Sequence, residues 1–136
     1  MRIIVDTNRI LSALLRDGTD RKIISSQNIN FFTLDYVLGE IGKYMGDITK
    51  KSRLSKEEIE TLLSIFMENV AIVSDKKVKS KMKEAMDIMK DIDAKDAPIL
   101  ACALAIPNDG IWSEDKHVHT QNRIKALHSA DLLNYI

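Results

Sequence analysis

The stretch RIIVDTNRILSALL, residues 2–15, joins two kinds of hydrophobic pattern, and that junction decides the fold. RIIVDT (2–7) is a short β-branched run, which predicts a strand. Ile10, Leu11, Leu14 and Leu15 then recur at helical spacing until the Asp17-Gly18 break. The unit is strand followed by helix, and the apolar RIIV run suits a central strand. The alternation continues downstream. Residues 20–27 predict a second helical piece, INFFTL (29–34) a strand, and 36–48 a helix with Val37, Ile41, Tyr44 and Ile48 on one face and Asp35 as its N-cap. Ser55, three residues ahead of Glu58, predicts a capping box before an apolar stripe at Ile59, Leu62, Leu63 and Phe66. VAIVS (70–74) reads as a strand, and 76–90 as a helix whose Met82, Met86 and Met89 predict a core-facing stripe. DIDAKDAPILACALAI (91–106) is a nearly all-apolar helix with Pro98 near its start. An Asn108-Asp109-Gly110 turn, a strand from 111 and a short final strand near Leu127 follow. Strands separated by helices imply a three-layer α/β/α architecture with a central, mainly parallel sheet covered on both faces.

At 136 residues and 45% hydrophobic, the chain supports one core, so residues 1–136 are expected to form a single domain. Twenty basic and twenty acidic side chains balance, which leaves no global field to identify a nucleic-acid or membrane partner. The N-terminal apolar run ends after four residues, and no stretch approaches membrane-spanning length; a soluble, cytoplasmic protein is the expectation. Cys102 is the only cysteine, which excludes an internal disulfide and a cysteine-based zinc cluster; within PILACALAI it is expected in the core.

In parallel sheets of this kind, groups at the carboxyl ends of strands project into the crevice where strand order reverses. Asp6 and Asp115 both fall at such ends. Each acid of interest has an ordinary structural explanation as well. Asp6 precedes a helix and caps well; Asp93 and Asp96 lie at the start of the apolar helix, where its dipole favours carboxylates. Glu40, in YVLGEIG, is by itself a solvated helix-face acid, although Gly39 and Gly42 leave room for a close approach. Asp115 lies two residues after Ser113, so on a continuing strand the two share a face, with Glu114 turned to solvent. Collected at one end of one sheet, these carboxylates repel: two of them about 4 Å apart do so by roughly 4 kcal/mol at an effective dielectric near 20. A bound cation relieves this. Oxygen ligands select Mg²⁺ or Mn²⁺ over zinc, and such ions activate water and stabilise in-line phosphoryl displacement.

The linked motifs VDTNRILSALL (5–15), GEI (39–41), DAKDAPILACALA (93–105) and IWSEDKHV (111–118) resemble, in this order, the successive signatures of PIN-domain ribonucleases, including VapC-type toxins. The resemblance covers essentially the whole chain. It implies metal-binding catalytic roles for Asp6, Glu40, Asp96 and Asp115, with Asp93 as a further candidate ligand and Asn8 and Ser113 as supporting polar residues. It also implies Mg²⁺- or Mn²⁺-assisted hydrolysis of RNA by activated water, leaving a 5'-phosphate and a 3'-hydroxyl with no covalent enzyme intermediate. A toxin-like member would be restrained by a small antitoxin covering the acidic crevice, and would form a homodimer. The hydroxyl residue often found ahead of the helix carrying Glu40 is replaced here by TLDY (33–36).

Other features are assigned more modest roles. His117 and His119 alternate in KHVHT, but no third soft ligand is near in sequence, so surface or RNA contact is expected; His128 gives no signal. The five lysines of KKVKSKMK (76–83) surround a helix and read as a solvated face, whereas Lys116, beside Asp115, is the RNA-contact candidate. A haloacid-dehalogenase-type phosphotransferase needs a second Asp where Asn8 stands, and a response-regulator receiver needs paired acids where IIVDT has one. A non-catalytic PIN-like RNA-binding or scaffold protein remains the alternative, although such proteins usually lose one or more of the acids that are all present here.

Overall fold

A computed structural model describes all 136 residues. Five strands, β1 (Arg2–Val5), β2 (Asn30–Leu34), β3 (Val70–Val73), β4 (Gly110–Trp112) and β5 (Ala126–Leu127), form one sheet in the order β3-β2-β1-β4-β5. Every pairing is parallel. The expected α/β/α architecture is present. One face is covered by α1 (Thr7–Leu15), α2 (Thr19–Ile24), α3 (Val37–Lys43), α4 (Met45–Ser52), α5 (Lys56–Met67) and α9 (Ser129–Leu132), packed on Ile3, Val5, Phe31 and Trp112. The other is covered by α6 (Asp75–Met89), α7 (Ala97–Ala105) and α8 (Lys116–Thr120), packed on Ile4, Leu34, Val73 and Ile111. Ile3, Ile4 and Val5 are wholly buried, which is why the first strand is a continuous apolar run rather than an alternating one.

The chain grows from β1 towards β3 on one side and through β4 to β5 on the other, so strand order reverses between β1 and β4. Their carboxyl ends flank the crevice in which open parallel sheets bind ligands. Gly110 starts β4 with φ +147°, and a Cβ there would lie 2.8 Å from the Lys125 carbonyl oxygen; only glycine lets β5 approach this closely. No helix is long and apolar enough to cross a membrane.

Three local expectations are corrected. The helix expected over 36–48 breaks at Tyr44, where the backbone leaves helical geometry at φ −100° and ψ 9°, and α4 begins. Gly42 and Gly46 on either side weaken helical continuity, and Ile48 turns into the core while Tyr44 stays exposed. Asp35 does not cap α3: Tyr36 holds that position without a side-chain bond. In α6 the inward row is Val78, Met82, Ala85 and Met89, leaving Met86 exposed. At roughly 100° per residue, Met86 sits at the edge of that row, which fills the core without it. By contrast, Ser55 and Glu58 form the expected reciprocal capping box, and Cys102 is fully buried.

Candidate active site

The site is assembled by strand register. Val5 pairs with Trp112, so the next residues, Asp6 and Ser113, emerge side by side, and the Asp6 amide still donates to the Trp112 carbonyl at 3.1 Å. Ser113 is completely buried. Its hydroxyl donates to Asp6 Oδ2 at 2.8 Å and accepts the Asp115 amide at 3.1 Å, tying the two acids together. The strand does not continue to Asp115. β4 ends at Trp112, and Asp115 caps α8 by accepting the His117 amide at 2.9 Å. Convergence of Asp6 and Asp115 therefore comes from a helix start rather than from strand alternation. Glu114 is exposed, as its alternation implies, and is also held in place: its carboxylate accepts the Ser129 amide at 2.6 Å and lies 2.8 Å from His128 Nδ1. Those bonds hold its carboxyl below the usual range, against an opposing push from burial.

Capping and clustering prove compatible. Asp6 Oδ1 caps α1 through a long 3.5 Å bond from the Asn8 amide while Oδ2 faces Ser113. Asp93 Oδ1 accepts the Lys95 amide at 3.0 Å while Oδ2 faces His117. Asp96 is different. It stands at the N-cap of α7 yet makes no capping bond, and its buried Oδ2 has no hydrogen-bond partner. Burial, then repulsion from Asp115, Asp93 and Asp6, pushes its carboxyl up to about 6, with His117 opposing. Burial also raises Asp6, against its bonds to Ser113 and Asn8 and the charge of Arg9.

His117 completes the cluster. Its Nδ1 lies 3.2 Å from Asp115 Oδ1, 3.4 Å from Asp93 Oδ2 and 3.9 Å from Asp96 Oδ2. One donor atom from each of Asp93, Asp96 and His117 falls within 4.8 Å of the others. No soft ligand joins His117, in line with the sequence reading, but the first turn of α8 folds it back over Asp115 among hard carboxylate oxygens rather than leaving it a plain surface residue. DKHV reads equally well as a continuing strand, so the sequence carries no separate signal for this helix start. His119 also turns inward, with Nε2 2.6 Å from the Ser113 carbonyl oxygen, and stacks on His128 at 3.8 Å.

Glu40 occupies a neighbouring position. It lines an open polar cleft of about 370 Å³ with Asp6, Thr7, Asn8, Leu11, Tyr36 and Tyr44, and its Oε1 accepts from Lys43 Nζ at 3.3 Å. Asp6 is thus the shared wall between the cleft and the Asp93, Asp96, Asp115 and His117 cluster. Gly39 and Gly42 border open space, so nothing in the fold uses the room they leave. Burial, then the charges of Asp6, Glu40 and Asp96, raises the Tyr36 phenol, which places this tyrosine in the field of the acids. Lys116 is exposed. The donor set suits a divalent cation: it is carboxylate-rich, and the orphaned Asp96 Oδ2 is a buried acceptor in want of a positive partner.

A family model described as a PIN domain matches residues 4–127. The chain belongs to the PIN-domain family. No curated protein matches it. PIN domains are generally nucleases and typically use divalent metals, and an acidic cluster that could hold a metal ion is present here.

Proposed function

We propose that this PIN domain is an Mg²⁺- or Mn²⁺-dependent endoribonuclease, acting as one domain over its whole length. The observation that carries the reading is the partnerless, buried Asp96 Oδ2 beside Asp93 and Asp115, with Asp6 tied in through Ser113. Asp6, Asp96 and Asp115 would hold the ion, with Asp93 at the margin and Glu40 acting from the adjoining cleft. When bound, such an ion supplies positive charge to the scissile phosphate and a water nucleophile at neutral pH. The protein's own contribution is placement. Ser113 fixes the orientation of Asp6 Oδ2 and the Asp115 backbone in one bond pair, so both acids are set before substrate arrives. Asn8 extends the polar wall of the cleft, and Tyr36 and Tyr44 offer exposed aromatic faces at its rim for unpaired bases. Lys116 contacts backbone phosphate. Water attack leaves a 5'-phosphate and a 3'-hydroxyl.

The resemblance to VapC-type toxins supports a toxin role, with a small antitoxin presenting a basic residue to the acidic crevice and with homodimer formation. Co-purification from the native host tests it; free monomer under every growth condition would instead mean a stand-alone nuclease. The catalytic reading is tested by incubating purified protein with structured and unstructured RNAs in Mg²⁺, Mn²⁺ or EDTA. Cleavage only with a divalent ion is expected. RNA binding without cleavage under all conditions would favour a non-catalytic, PIN-like binding protein.

A further inference from the structure

An imidazole nitrogen sits inside this cluster of carboxylates, within 4 Å of an oxygen of each of Asp93, Asp96 and Asp115. Ligand atoms about 2.1 Å from one ion are separated by roughly 3.0 Å when adjacent and 4.2 Å when opposite. The distances from His117 Nδ1 to Asp115 Oδ1, Asp93 Oδ2 and Asp96 Oδ2 are 3.2, 3.4 and 3.9 Å, all within that window. The backbone that carries the ring is anchored on both sides. Its own amide is tied to Asp115 Oδ1 at 2.9 Å, and α8 is packed into the sheet by the buried Val118. A hydrogen-bonded imidazolium could occupy the same place as an internal counter-charge, and the two roles predict opposite effects of removing it.

We propose that His117 Nδ1 is a direct ligand of the divalent ion, making this an N/O site rather than an all-carboxylate one, and that it biases the site towards Mn²⁺ over Mg²⁺. The proposal rests on the metal-dependent reading above. Its chemistry is ligand preference: carboxylates serve Mg²⁺ and Mn²⁺ alike, whereas imidazole favours the transition ion and is a poor partner for Mg²⁺. Ligation needs the neutral ring with its proton on Nε2, leaving the Nδ1 lone pair towards Asp93, Asp96 and Asp115.

The test uses the full chain and Mn²⁺ itself. Pulsed electron paramagnetic resonance of the Mn²⁺-loaded protein should show ¹⁴N coupling from a directly bound imidazole. The coupling should vanish in His117→Ala and persist in His119→Ala, which controls for the other nearby ring. Calorimetric titration should show the Mn²⁺ to Mg²⁺ affinity ratio falling about tenfold or more in His117→Ala, mainly through weaker Mn²⁺ binding. Bound Mn²⁺ without nitrogen coupling would overturn the proposal while leaving the carboxylate site intact. Tighter binding of both ions by His117→Ala would also overturn it, because that is the signature of a displaced counter-charge. Failure of the wild type to bind either ion would overturn the metal-dependent reading together with this one.

Discussion

Asp96→Asn should stabilise the metal-free protein while abolishing the function that the carboxylate serves. Asp96 lacks a capping bond, its Oδ2 lacks a hydrogen-bond partner and His117 Nδ1 comes no nearer than 3.9 Å, so little in the fold offsets burial beside three other acids. A rise from the ordinary 3.8 to about 6 corresponds to about 3 kcal/mol at most. Solvent at the open side of the site reduces the expected effect to about 1–2 kcal/mol. The sign follows from proton linkage. An acid whose folded pKa is raised favours the folded state below its unfolded pKa, near 4, and that advantage is lost as pH rises through about 6. The gain from Asp96→Asn is therefore full at pH 7.5 and shrinks as pH falls from about 7 towards 4. Urea unfolding in EDTA at pH 7.5 and pH 5 measures it directly, and thermal melting should show a rise of roughly 3–8 °C at the higher pH. Added Mn²⁺ should then raise the melting temperature of the wild type more than that of the variant, since only the folded wild type binds the ion well. A variant less stable than wild type at pH 7.5, or an equal difference at both pH values, would refute the reasoning.

Three further outcomes follow from other parts of the site. Ser113→Ala removes the buried bridge between Asp6 and Asp115; kcat should fall about 10- to 100-fold with stability lowered by about 1 kcal/mol, read from steady-state cleavage and urea melts. Tyr36→Ala should weaken RNA binding by about 1–3 kcal/mol while Tyr36→Phe retains it, measured by fluorescence anisotropy with an unpaired oligonucleotide; equal losses in both would assign the effect to the hydroxyl. Asp20→Ala should cost about 3–5 kcal/mol in denaturant unfolding, because it strands Arg9, held at 2.7 Å, and frees Ser129, held at 2.6 Å beneath the Trp112 indole.

The layered fold was legible because its signals are local. RIIV followed by helical spacing identifies the central strand and its helix, and the Ser55-Glu58 capping box marks α5 without reference to anything distant. The order β3-β2-β1-β4-β5 was not legible, since register between β1 and β4 is set by packing across more than 100 residues of chain; yet that register is what puts Asp6 beside Ser113. At the site, the four acids and Ser113 were named from their linked motifs. What the residues alone could not convey was that Asp115 begins a helix, because a short apolar run ending in SED continues equally well as strand. That ambiguity hides the turn that brings His117 over Asp115 and Glu114 against Ser129, although Glu114 is exposed as its alternation implies. At Tyr44 the apolar periodicity of 36–48 carries across a junction weakened by Gly42 and Gly46, and the turn there sends Ile48 into the core and leaves Tyr44 exposed.

The central claim, that these carboxylates carry metal-dependent RNA hydrolysis, is tested most directly by one side-by-side measurement. A 5'-labelled RNA is incubated with wild type, Asp6→Asn and Asp115→Asn, each with Mn²⁺ and with EDTA, after circular dichroism has shown all three folded. Cleavage by the wild type in Mn²⁺ alone, and by neither variant, is the predicted result. Undiminished wild-type cleavage in EDTA, or full activity in both variants, would contradict it.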